Sequence, residues 1–277
     1  MKKIHRQKGF TLVELAIVLT IIGLLIGGIL KGQQLMQNAR VTATIAQIQA
    51  IESATTTFRD TYNAMPGDLT APNTRLPGFQ NITAMDSLGD GIVGPIAWNL
   101  SASQATAAIA NPAAGALGID ETTLFWGELA SAGLLSGITY TGEALAAGAA
   151  RFGTTHPVAR VGGGFVVGNA NGSLEQLLAP VVGCGAPHSC LVGTVLALVP
   201  NPTAVMVTTV GNNILTPTLA SQMDRKMDDG NPLAGFVQAY GVDAAAGCMT
   251  APAAGVASVY NDARTSKDCG MFFRIQG

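Results

Sequence analysis

Between Phe10 and Leu30 the chain reads FTLVELAIVLTIIGLLIGGIL, an apolar run broken by a single ionisable side chain, Glu14. As a helix this run extends about 31 Å at about 1.5 Å per residue, enough to cross the hydrocarbon core of a bilayer. The preceding MKKIHRQKG carries Lys2, Lys3, Arg6 and Lys8 and no acid. A basic flank of this kind stays cytoplasmic, so everything after Leu30 is expected outside. No later run is comparably long and free of polar residues. The expectation is a single-pass protein with its N-terminus inside.

A cleaved secretory signal and a plain anchor both compete for this segment. A secretory signal needs a small-residue cleavage site behind its apolar region. Here GGILKGQQLMQNAR follows and offers none. A plain anchor explains the length but leaves Glu14 without a reason. A carboxylate in the bilayer costs about 2.5–3.5 kcal/mol on insertion scales, so it calls for a partner or a function. A new amino terminus created close to Glu14 would be such a partner.

The stretch Lys8-Gly9-Phe10-Thr11-Leu12-Val13-Glu14 ahead of an apolar run resembles the prepilin signal shared by type IV pilins and the pseudopilins of type II secretion. The resemblance implies cleavage between Gly9 and Phe10 by a prepilin peptidase, followed by N-methylation of Phe10. It also implies that Glu14 neutralises the amino terminus of a neighbouring subunit during assembly. Two charges in lipid are tolerable when paired, which agrees with that role. The segment departs from many pilins in one respect. Where they carry a proline along this helix, Gly27-Gly28-Ile29-Leu30-Lys31 stands here. Gly23, Gly27 and Gly28 each weaken a helix by about 1 kcal/mol relative to Ala. They are compatible with local melting on polymerisation, with close helix packing, or with the ordinary frequency of glycine in membrane helices.

Past Leu30 the helical pattern continues. Leu35, Val41, Ile45, Ile48, Ile51, Thr55, Phe58 and Tyr62 recur mostly at three- and four-residue spacing among polar residues. The turn Met65-Pro66-Gly67-Asp68 stops it. The helix is expected from Phe10 to Tyr62, near ~80 Å long. Its first half, 10–30, would lie in lipid or a filament core, and its amphipathic second half, 31–62, would pack its stripe on a head formed by 63–277. The leader is 1–9. The stretch from Gln34 to Asp68 also resembles a group of larger proteobacterial pilin-like proteins. So do DSLGDGIVG (Asp86–Gly94), LFWGELASAGLLSG (Leu124–Gly137) and MDRKMDDGNPLAGFVQAYG (Met223–Gly241).

Hydrophobic residues make up 48% of the chain and charged residues 12%, which excludes a disordered polyelectrolyte. In the head, a short helix is expected from Thr122 or Thr123 to Gly133. Val158–Gly168, Leu191–Val199 and Ala204–Val210 are apolar and β-branched, as strands are. Thr216-Pro217 reads as N-cap and first helical residue, with Gly230 as the stop after Met227. Phe236–Tyr240 and Met271–Ile275 are further strand candidates. A long helix, transmembrane in its first half, laid on an antiparallel sheet is an α+β fold, the type IV pilin architecture. Nothing marks a second independent domain in the head.

The four cysteines, Cys184, Cys190, Cys248 and Cys269, all lie in the exported part. An even count in an oxidising compartment favours two disulfides, for which three connectivities exist. Pairing of sequence neighbours, Cys184–Cys190 and Cys248–Cys269, is the expectation adopted, and the second resembles the C-terminal loop disulfide of type IV pilins. Zinc is the rival, with His188 between the first two, but the spacing matches no finger pattern. Asp86 and Asp90, followed by Gly91, resemble a truncated calcium loop; Leu88 and Ala97 occupy positions where a complete loop needs oxygen ligands. A turn capped by Asp and Gly explains the same residues. Asp228 and Asp229, before Gly230, pose the same choice between calcium and a turn. No other cofactor is called for.

No nucleophile elbow, metalloprotease motif, P-loop or dinucleotide fingerprint occurs. His5 belongs to the leader, and a triad built on His156 has no sequence signal. Asn81-Ile82-Thr83 is an incidental sequon. Apart from the leader the chain is distinctly acidic, since four of its 15 basic groups lie in that leader and none of its 17 acids does. That balance argues against a nucleic-acid surface. The resemblance therefore implies a non-enzymatic structural subunit of a type IV pilus-like filament. Its partners would be a prepilin peptidase and N-methyltransferase, the inner membrane, other pilin subunits and the assembly machinery. It would be stored in the inner membrane and assembled into a periplasmic or cell-surface filament. The alternative is a minor or tip pilin, or a type II secretion pseudopilin, whose enlarged head binds a partner or surface.

Overall fold

The run of apolar and helix-tolerant residues after Thr11 forms one helix, α1, spanning Leu12–Tyr62. The computed structural model describes residues 11–80, 88–93, 121–143, 150–171, 191–201, 211–241, 247–250 and 258–275. Threonines are poor helix formers because their branched side chains lose rotamer freedom. Here Thr55, Thr56, Thr57 and Thr61 each donate the hydroxyl to the carbonyl four residues back, at 2.7–3.1 Å, which satisfies them within the helix. The helix stops at Tyr62, as the Met65-Pro66-Gly67 turn predicts. Asn63 takes the left-handed conformation at φ 52°, and the Arg75 guanidinium donates to the orphan Tyr62 carbonyl.

The chain divides into two compact units, one reaching Arg40 and one from Val41 to Gly277. In the first, every described residue is exposed, including Leu12, Ile21, Leu24 and Ile29. In the second, α1 buries Val41, Thr44, Ile48, Ile51, Thr55 and Phe58, the three- and four-residue spacing of a helix face against a core. Leu35, expected on this stripe, is instead 69% exposed. The stripe therefore starts at Val41, and Leu35 and Met36 continue the exposed apolar run.

The sheet has four strands, β1 Gly164–Asn171, β2 Val192–Val199, β3 Val237–Gly241 and β4 Cys269–Arg274. Their order is β1-β2-β4-β3 and all neighbours are antiparallel. Three strands fall within a few residues of expectation; β1 does not. Val158 makes only an isolated bridge to Gly164, because Gly162 and Gly163 adopt positive φ and turn the chain before the strand begins. Strand β1 then runs on to Asn171. The expected strand Ala204–Val210 lies outside the described residues.

Two short helices and a single turn complete the described elements: α2 at Pro72–Arg75, α3 at Glu121–Ser131 and α4 at Pro217–Met227. Helix α4 begins as its sequence requires, with Pro217 in the first turn and the Thr216 hydroxyl accepting from the Leu219 amide at 3.4 Å. Helix α3 is buried from Glu121 through Leu129, with Phe125 and Trp126 meeting edge to face at 4.8 Å. Cys248 and Cys269 are bonded as a disulfide that ties the 247–250 segment to the first residue of β4. A long apolar N-terminal helix with a four-stranded antiparallel sheet is an α+β, type IV pilin-like architecture.

Candidate functional site

The start of α1 carries the residues on which the sequence reading depends. Thr11 and Glu14 form a reciprocal cap. The Thr11 amide and hydroxyl both donate to Glu14 Oε2 at 2.8 Å, and the Glu14 amide donates back to Thr11 Oγ1 at 3.3 Å. This is the Thr-x-x-Glu capping box, which satisfies amides that a helix start leaves without partners. It also holds the Glu14 carboxylate against the first turn. Gly9 and Phe10 lie outside the described residues. A Cβ added at Gly23, Gly27, Gly28 or Gly32 would meet nothing within 4 Å, so these glycines leave an open surface on the helix. Helix α1 is long and apolar enough to cross a membrane, by length and composition.

In the second unit, three of the motif segments converge on two acidic side chains. Asp68, 2% exposed, accepts the amides of Gly89, Asp90 at 3.1 Å and Gly91 at 2.8 Å, and so clamps the Gly89-Asp90-Gly91 loop. Burial pushes its carboxyl up, while those three amides act in the opposite direction. Glu128 of α3 is fully buried and its Oε2 accepts the Gly67 amide at 2.6 Å. Gly67 is obligatory there: its φ is +88°, and a Cβ would run into the Glu121 carbonyl. Burial holds the Glu128 carboxyl well above the usual carboxylate range, and the negative charges of Asp68 and Glu121 add to the effect. The first motif turn is thus seated on α3 by one acid and holds the second motif loop by another.

The C-terminal motif builds a second node. Asp224 accepts the Tyr260 hydroxyl at 2.7 Å on Oδ2 and the Gly230 amide at 3.1 Å on Oδ1. Burial pushes Asp224 up to about 6, with Asp229 and Asp228 adding to it and the Tyr260 and Gly230 donors opposing it. Asp228 Oδ2 accepts from the amides of Phe236 and, at 3.0 Å, Val237, where β3 starts. Asp229 Oδ1 accepts the Asn231 amide at 2.8 Å.

Asp224, Asp228 and Asp229 each place an oxygen within 4.8 Å of the others, a spacing a hard cation could use. Their hydrogen bonds to the protein account for all three as loop clamps. Asp90 caps its own turn by accepting the Ile92 amide at 2.8 Å. Asp86, its expected companion, lies outside the described residues, as do Cys184, Cys190, His188 and Asn81.

His156 is buried against Trp126 and Phe152, and its Nδ1 meets the Thr155 hydroxyl at 2.9 Å. Burial drives it down to about 3, so it is a neutral core residue. No carboxylate bonds to it among the described residues. Asp68, Glu128 and Asp224 were not singled out by sequence reasoning. Glu128 had a signal, an acid inside the apolar stretch Leu124–Leu129, of the same kind that marked Glu14.

The chain matches the family model described as the prokaryotic N-terminal methylation motif over residues 4–30. The match covers Arg6 and Lys8 of the basic head, the Gly9–Phe10 junction, the capping box and the apolar run to Leu30. No curated protein and no solved structure matches the chain. Residues 4–30 therefore carry the type IV pilin/pseudopilin prepilin signal.

Proposed function

We propose that this prepilin-type precursor is a structural subunit of a type IV pilus-like filament. It waits in the inner membrane with its N-terminus cytoplasmic, is cleaved after Gly9, is methylated on Phe10 and then polymerises through α1. The observation that supports this best is the pairing of the methylation motif with a helix exposed along its whole apolar length to Arg40. Such a surface cannot face water, and lipid and the helices of sister subunits are the two environments that cover it. Glu14 gives the assembly its register. Among the described residues of the single chain, Thr11 stabilises its charge; beside a sister subunit it gains a freshly cut, positively charged amino terminus. The Asp68, Glu128 and Asp224 nodes hold the head together and take no part in catalysis, and no cofactor is needed. Peptidase, methyltransferase, sister subunits and the assembly machinery are its partners, and the filament stands in the periplasm or at the cell surface.

Two substitutions test this. Gly9→Leu should leave uncleaved precursor in the membrane, seen as a slower band on a gel; normal processing would contradict the proposed cleavage site. Glu14→Val should be cleaved normally yet fail to enter filaments; a wild-type filament yield would contradict its role. The size of the unit from Val41 onward favours a second reading as a minor or tip subunit. Gold-labelled antibody decorating only filament ends would establish it, and decoration along the shaft would reject it.

A further inference from the structure

Among the described residues Glu128 is a fully buried acid that bridges two motif segments, and its environment suits a neutral carboxyl better than an ionised one. Its Oε1 is shut off from solvent and has no hydrogen-bond partner among the described residues. Its Oε2 accepts the Gly67 amide at 2.6 Å, and the Leu69 amide also bears on the carboxyl. The ionisable groups that bear on it are Asp68 from the facing turn and Glu121 from its own helix, both acids. His156, packed on Trp126 of the same helix, is neutral and supplies no countercharge. An isolated charge in such a place is costly, and at Glu128 burial outweighs the amides. An ionised carboxyl there calls for water, which lifting of the 65–69 turn from α3 would admit.

We propose that Glu128 and the Gly67–Leu69 turn form a proton-operated latch: with its proton, Glu128 keeps the turn seated on α3, and losing it releases the turn together with the Gly89–Gly91 loop that Asp68 holds. The step is a simple proton loss to water, and it is independent of how the N-terminal helix assembles. Because the closed state holds this proton more tightly than the open state, closure is favoured at low pH and weakens as pH climbs above the ordinary glutamate range.

Amide hydrogen exchange on the full-length chain in detergent micelles tests the latch, run from about pH 5 to about pH 8 after correction for intrinsic rates. Protection of the Gly67 and Leu69 amides should fall in the wild-type protein by up to about tenfold per pH unit relative to Glu128→Gln, which cannot ionise. A wild-type to variant ratio that does not change with pH overturns the proposal. Should the variant fail to fold, the wild-type chain still decides. Gly67 and Leu69 must lose protection relative to the β2 amides of Leu196 and Leu198 as pH rises, and parallel behaviour of the two sets overturns the latch.

Discussion

Glu14, Glu128 and Asp224 are acids in apolar settings, and each is stabilised differently. Glu14 is held by a threonine one turn away, Glu128 by backbone amides and its own proton, and Asp224 by a tyrosine hydroxyl. Asp224 makes a testable pH dependence. Its carboxyl lies near about 6 when folded, against 3.8 when free, so the folded state keeps a proton that the unfolded state has released. Its contribution to stability is therefore present at acid pH and is lost as pH rises from about 4 to about 6. Urea midpoints should show Asp224→Asn gaining on the wild type across that window and holding a constant offset above it. A constant offset throughout would show that Asp224 is ionised in the fold. At Gly67 the expected effect is steric: Gly67→Ala places a methyl against the Glu121 carbonyl at a left-handed φ, and should cost about 1–3 kcal/mol in denaturant unfolding. Glu14 was legible in the sequence because a single acid in a run of that length has no bland explanation. Glu128 was less so, since an eleven-residue helix such as α3 ordinarily has a wet face, and only the packing of Gly67, Phe125 and Trp126 shows that this one has almost none.

Among the elements, those with a strong period or a sharp stop were readable. Helix α1 ends at Tyr62 because Pro66 and Gly67 follow, and α4 begins at Thr216-Pro217 because the cap chemistry is local. Strand β1 was misplaced because its apolar residues continue an apolar stretch begun at Val158, and the Gly162-Gly163 turn that separates them depends on close packing against Ile214. The start of the buried stripe at Val41 rather than Leu35 was likewise hidden, since Leu35 has the same chemistry whichever unit it serves. The disulfide belongs to this scale too. Cys248–Cys269 closes a loop with a sequence separation of 21 and anchors the start of β4. Cys248→Ser should therefore lower unfolding stability by about 3 kcal/mol, measured under oxidising conditions. An unchanged midpoint would mean that the 247–250 segment is held by its other contacts, such as the Asn261 amide on the Cys248 carbonyl.

At the scale of the whole molecule, the chemistry is divided between an N-terminal segment that keeps its apolar surface uncovered and a unit that buries a core of its own. The proposed filament subunit calls for such a division, with an apolar helix left to meet its own kind and a head that carries its own core. In the proposed function the chain becomes such a subunit by losing its charged leader and presenting a new amino terminus next to Glu14. The most direct test is intact mass with N-terminal analysis of the protein isolated from its native membrane or filament. The expected result is a chain beginning at Phe10 and carrying one added methyl group on that residue. A chain that still begins at Met1, or one trimmed past Leu30, would contradict it and leave a simple anchor or a released protein in its place.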